Sequence, residues 1–131
     1  MKKQEFYGAR KNVLVIETDR ATSRWLSIML AQANRDWDIK SHDNWSQAVA
    51  SAADAKQDVV VLGIDGKTQM AAVGVFIERV KRMCPEAEIV LHAPGNRKIQ
   101  HELAHATVSK QNRIEPLAMA ISSAIERTRN A

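Results

Sequence analysis

A single cysteine, Cys84, stands in the whole chain. It excludes an intramolecular disulfide and removes any reason to infer an oxidising compartment. No segment approaches the ~18 uncharged apolar residues of a membrane span, and the charged start Met1-Lys2-Lys3-Gln4-Glu5 leads into no apolar stretch. A soluble, cytoplasmic chain without membrane contact is expected. Aromatic residues are scarce as well: Phe6, Tyr7, Trp25, Trp37, Trp45 and Phe76 complete the set. They do not interleave with basic residues, so the composition argues against base stacking along a nucleic acid.

What is present is a globular balance. The 131 residues are 45% hydrophobic and 26% charged, a length and composition suited to one domain that buries ~70% of the surface its unfolded chain exposes. The formal charge of +4 comes with basic residues at the ends. Lys2, Lys3, Arg10 and Lys11 form a basic extension over residues 1–11, and Arg127 and Arg129 close the chain. Basic ends outside a core read as solubilising, and no direct nucleic-acid partner is expected.

Two periodicities alternate along the chain. Asn12-Val13-Leu14-Val15-Ile16 reads as a strand buried on both faces, because no polar residue alternates within it. Trp25, Leu26, Met29, Leu30 and Ala33 then share one face of a helix over about Ala21 to Asn34. Trp37 to Ser41 reads as a more polar strand. Asp43 or Ser46 can cap a helix that carries Trp45, Val49 and Ala52 and runs through alanines to Lys56. Asp58 to Ile64 is a second fully buried strand, with a loop at Asp65-Gly66-Lys67. Met70, Val73, Phe76, Ile77, Val80 and Met83 stripe a helix that Pro85 stops.

Glu88 to His92 is a further strand, and Pro94-Gly95 opens a loop. Ile99 and Leu103 mark a short helix over Arg97 to His105, and Ala106 to Ser109 is the last strand. A terminal helix carries Pro116 in its first turn and the stripe Ile114, Leu117, Ile121, Ala124 and Ile125. Five strands and five helices in strict alternation require parallel strands joined by right-handed crossovers. The expected fold is a single doubly wound α/β domain with a five-stranded parallel sheet in flavodoxin-like order 2-1-3-4-5. Ligands of such sheets bind beyond the carboxyl ends of the strands. Here that place holds Glu17, Thr18, Asp19, Gly63, Ile64, Asp65, His92, Ala93, Ser109 and Lys110.

This arrangement, from Asn12 to about Arg127, resembles the receiver domains of bacterial two-component response regulators. The resemblance implies an acidic pair after the first strand that holds Mg²⁺, a phosphate-accepting aspartate ending the third strand, a Ser or Thr ending the fourth and a lysine ending the fifth. In this chain Glu17 and Thr18 stand at the acidic pair, Gly63 at the phosphoacceptor, His92 at the hydroxyl position and Lys110 at the lysine. Only Lys110 matches. Acyl phosphate formation needs a carboxylate nucleophile and a cation to offset charge, and a glycine supplies no side chain. Asp65 lies two residues on, about 6–7 Å farther along an extended chain, and Gln111 replaces the proline that follows the family's lysine.

Three segments narrow the resemblance: Val15-Ile16-Glu17 running into Ser23-Arg24-Trp25-Leu26, Asp43-Asn44-Trp45, and Val61-Leu62-Gly63. They are similar to the N-terminal domains of FleQ-type flagellar sigma-54-dependent activators. That likeness implies a pseudo-receiver ahead of an AAA+ ATPase and a DNA-binding module, with flagellar and biofilm genes as the regulated set. It implies no cofactor and no catalysis. The residues also admit plainer readings. Lys110 equally suits a solvated loop lysine, Glu17 and Asp19 suit hydrogen-bond acceptors at a helix start, His92 a partly buried packing residue, and Trp25 and Trp45 core or interface anchors.

His101-Glu102-Leu103-Ala104-His105 satisfies the H-E-x-x-H pattern, in which a helix would place two histidines on one Zn²⁺ with the glutamate as general base. A small zinc-dependent hydrolase is therefore an alternative, with Glu126 as the nearest offer of a third ligand. Against it, Ile99 and Leu103 should face inward, which turns His101 to solvent. A third alternative is a stand-alone adaptor or pilus-assembly regulator. For a module that works by contact, the expected surface for homodimerisation combines His101, His105, Met119, Ala120 and Ser123.

Overall fold

The computed structural model describes residues 10–95, 99–111 and 113–129. The start of the basic extension, residues 1–9, lies outside them, as do Arg97 and its two neighbours. Strand β1 (Lys11–Ile16) is followed by helix α1 (Arg20–Ala33), strand β2 (Trp37–His42), helix α2 (Trp45–Asp54), strand β3 (Val59–Gly63), helix α3 (Met70–Met83), strand β4 (Glu88–Ala93), strand β5 (Ala104–Ser109) and helix α4 (Ile114–Arg129). The five strands form one parallel sheet in the order β2-β1-β3-β4-β5, as the alternating periodicities require.

Two apolar layers sandwich the sheet. Leu14, Ile16, Val60, Leu62, Ile89 and Leu91 pack against α2 and α3, whereas Val13, Val15, Val59, Val61 and Val90 pack against α1 and α4. Every residue of β3 is buried, which explains why its sequence shows no polar alternation. The first strand starts one residue earlier than its apolar run. Lys11 N donates to Asp36 O, and the Arg10 guanidinium bonds Arg35 O and Trp37 O, so these two basic residues belong to the sheet margin.

Local chemistry sets the helix starts. Asp19 caps α1, its carboxylate accepting from Thr22 N at 3.2 Å. Asn44 caps α2, its Oδ1 accepting from Ser46 N at 2.8 Å and Gln47 N at 3.1 Å. The cap is therefore neither Asp43 nor Ser46: Asp43 accepts from Arg20 Nε instead, and α2 ends at Asp54, two residues before Lys56. Trp25, expected on the inner face of α1, is 49% exposed. Leu26 and Leu30 carry the burial there.

The largest departure follows β4. Four helices occur among the described residues, not five, because no helix forms between Ile99 and His105. His101 Nδ1 accepts from Leu103 N at 3.1 Å, and Ile99 O accepts from Thr107 Oγ1 at 2.9 Å. Side chains thus take backbone groups that a helix would have paired internally. Ile99 is buried as expected, but Leu103 is exposed, and β5 begins at Ala104 rather than Ala106. Between the pairs Ile89–Ala104 and Val90–Ala106 the register shifts by one residue. His105 is the extra residue of a β-bulge.

Candidate functional site

The carboxyl ends of β1, β3, β4 and β5 bring Glu17, Gly63, His92 and Lys110 together. Glu17 follows β1, and its backbone is held by donation from its N–H to His42 O at 3.0 Å. Its side chain is 2% exposed, and Oε1 meets Lys110 Nζ at 2.8 Å. The other oxygen, Oε2, accepts from Asp19 N at 3.3 Å. Lys110 is placed by its own N–H, which donates to Ala93 O at 2.7 Å just past the end of β5.

Gly63 lies directly beneath this ion pair. A Cβ at Gly63 would come within 2.6 Å of Glu17 Oε1, 2.9 Å of Glu17 Cδ and 2.9 Å of Ile16 O. The space into which a residue at the end of β3 would send its side chain is filled by the Glu17 carboxylate. Close approach, not backbone conformation, requires glycine here.

His92 stands beside Gly63 in the β3–β4 register. It is buried and its Nδ1 has no partner among the described residues. Burial, with a smaller contribution from the Lys110 charge, pushes its pKa down to about 4, so the ring is neutral at pH 7. The carboxyl end of β4 thus holds a neutral imidazole.

The outer acidic residues serve local turns. Asp65 Oδ1 accepts from Lys67 N at 2.8 Å and from Thr68 Oγ1 at 2.8 Å, and these bonds, the one from Thr68 foremost, hold its carboxyl below the ordinary value. Asp19 is likewise lowered, chiefly by the Thr22 hydroxyl. Thr18 is exposed. A divalent cation does not fit this donor set. Glu17 is committed to Lys110, Gly63 and Thr18 supply no carboxylate, and no cluster of three metal-ligating side chains occurs among the described residues.

The H-E-x-x-H segment lacks the geometry its pattern presupposes. His105 sits in the bulge of β5 and turns toward α4, where Nε2 is 3.1 Å from Ser123 Oγ and Nδ1 is 3.9 Å from Glu88 Oε1. His101 lies in coil on the opposite side, with Nε2 next to Gly74 of α3. The two rings meet different neighbours, Ser123 of α4 and Gly74 of α3, and no helix aligns them on one face. The expected interface set divides the same way: His105 and Ser123 form one contact, Met119 is 71% exposed, Ala120 packs onto the inner layer and His101 belongs elsewhere.

No protein-family model and no curated protein matches the chain. Solved structures do match. A signal receiver domain of an HD domain-containing protein from Pseudomonas fluorescens Pf-5 superposes with a TM-score of 0.76 at 15% identity, over 93% of this chain and 99% of that one. The fold is that of a response-regulator receiver domain. A CheY-like receiver from Methanospirillum hungatei JF-1 gives 0.76 at 12% identity, over 92% and 98%. A putative pilus assembly-related protein from Burkholderia pseudomallei gives 0.72 at 17% identity, over 93% of each chain. Within this fold, Gly63 ends β3, His92 stands one residue before the end of β4 and Lys110 follows β5. What the sequence did not signal was the path of the Glu17 side chain over Gly63.

Proposed function

We propose that this chain is a receiver-fold regulatory domain that accepts no phosphate and acts on an attached or partnered effector through protein contacts. The observation that carries this reading is the Glu17 carboxylate, buried over Gly63 and paired with Lys110 at 2.8 Å. The nucleophile is missing, its space is filled, and the lysine already holds an anionic partner.

The sequence likeness to FleQ-type activators favours a transcriptional effector as the target, with an AAA+ ATPase and a DNA-binding module in the same regulator and flagellar or biofilm genes as the output. A cytoplasmic location follows from that role. Self-association through β5 and α4 supplies a way to bias an effector without a chemical switch, since pairing stabilises one arrangement by mass action. A stand-alone pilus-assembly regulator is the second reading, favoured by the match to the Burkholderia protein over 93% of its own length.

The test is exposure of the protein to acetyl phosphate and, separately, to beryllofluoride with Mg²⁺. Neither should alter the amide NMR spectrum, and no phosphate should be incorporated. Stoichiometric labelling at Asp65, the nearest exposed carboxylate past β3, would overturn the reading.

A further inference from the structure

A broad groove lies away from the Glu17–Lys110 pair, between α1 and the carboxyl end of β2. It has a volume of about 880 Å³ and is lined by α1 from Arg20 to Ile28, by Ser41, His42 and Asp43, and by Gln47 of α2. Two large apolar side chains three residues apart open into it: Trp25, 49% exposed, and Ile28, 52% exposed. Residues at this spacing share a helix face, and such a pair is a candidate anchor site because a half-exposed indole brings much apolar area at little conformational cost.

The charge around this patch is positive by one. Arg20, Arg24 and Asp43 are its formal charges. Asp43 is already engaged, accepting from Arg20 Nε at 2.8 Å. That bond steadies the Arg20 side chain while leaving its two terminal nitrogens to solvent, for the side chain is 90% exposed. Arg24 has no ion pair among the described residues. Two guanidinium forks therefore flank an apolar floor, and a fork matches a carboxylate in bidentate fashion. Ser41 and Gln47 add neutral hydrogen-bonding groups at the far wall.

We infer that this groove is a docking site for an acidic segment of a protein partner, one that sets an apolar side chain on Trp25 and Ile28 and carboxylates against Arg20 and Arg24. Charge complementarity selects that occupant. A basic segment meets the unpaired charge of Arg24 beside the exposed end of the Arg20 guanidinium, and a second copy of this face would set the same two arginines against one another across a two-fold axis. A nucleic acid would satisfy the arginines but leave Ile28 uncovered. The site involves none of the residues of the Glu17–Lys110 pair, so its failure would leave the proposed function untouched.

The test uses two short synthetic peptides, one with phenylalanines flanked by glutamates and one with lysines replacing the glutamates, titrated into the protein and followed by amide NMR. The glutamate peptide should shift resonances along α1 and from Ser41 to Gln47, with an affinity that falls as salt is raised. Arg24→Glu and Trp25→Ala should each weaken it about tenfold or more. Both positions are exposed, and Ile28→Glu serves as a further variant if either destabilises the fold. Binding by the lysine peptide of equal strength would overturn the proposal, as would shifts confined to other surfaces. So would tighter binding of a single-stranded oligonucleotide in the same groove, or Trp25 shifts that track protein concentration with no peptide present.

Discussion

The Glu17 carboxylate excludes a side chain from Gly63: an ideally placed Cβ on the glycine would stand 2.6 Å from Glu17 Oε1. The two positions are therefore chemically linked. A residue with a side chain at 63 requires a different path for residue 17, and that path is held at both oxygens, by Lys110 and by Asp19 N.

Gly63→Ala should accordingly destabilise the fold by about 1–3 kcal/mol, the usual cost of overpacking a filled site. Urea denaturation measures the loss. A Glu17→Ala background should recover part of it and not all, because Ile16 O lies 2.9 Å from the added carbon and belongs to the backbone. Full additivity of the two substitutions would mean that the carboxylate does not occupy this space.

Lys110→Met leaves a carboxylate buried without its cation. The expected cost is about 2–3 kcal/mol, below the range for a wholly buried pair because the Lys110 side chain keeps 22% of its exposure. Adding Glu17→Gln removes the stranded charge, so the double variant should be more stable than Lys110→Met alone by at least about 1 kcal/mol. A double variant less stable than either single one would contradict the pairing.

His92 gives the fold an acid limit. Its folded pKa of about 4 lies below the ordinary 6.5, so on acidification the unfolded chain binds a proton that the folded ring refuses. Stability is complete above about pH 6.5 and declines toward pH 4, by about 3 kcal/mol in all from this group. Below that the folded ring is protonated as well and the decline from His92 ends. Denaturation midpoints across this range should slope upward with pH, and His92→Leu should flatten the slope. An unchanged slope in the variant would assign the dependence to carboxylates.

Ser123→Ala should cost about 0.5–1.5 kcal/mol by removing the hydrogen bond to His105, with His101→Ala affecting stability independently of it. Calorimetric titration with zinc should show no stoichiometric uptake. One equivalent of zinc bound and lost in both His101→Ala and His105→Ala would refute the placement of these rings on opposite sides of the sheet.

Strand order, the two buried layers and the alignment of Gly63, His92 and Lys110 were legible because each rests on a period or on a strand end. Val59 to Gly63 is all apolar and all buried, and no competing element can be drawn through it. The helix expected at Ile99 and Leu103 failed for a different reason. Two apolar residues four apart also suit coil, and the bonds that decide the matter, from Leu103 N to His101 and from Thr107 to Ile99, depend on where β5 pairs. Asn44 was missed as a cap because Asp43 and Ser46, on either side of it, are equally good cap residues. The Trp25 groove was hidden because α1 has more apolar residues than its inner face holds.

One extra residue in β5 also changes what the strand tolerates. Ala104 packs on the α3 side and Val108 on the α4 side, although residues four apart in a regular strand share a face. The bulge at His105 supplies the odd step. Upstream of it, Ala104 pairs with Ile89 and Ile99 is buried in the α3-side layer. Downstream, Ala106 to Lys110 is oriented by β4. The face that Ala104 takes is thereby uncoupled from the one that fixes Lys110 on Glu17.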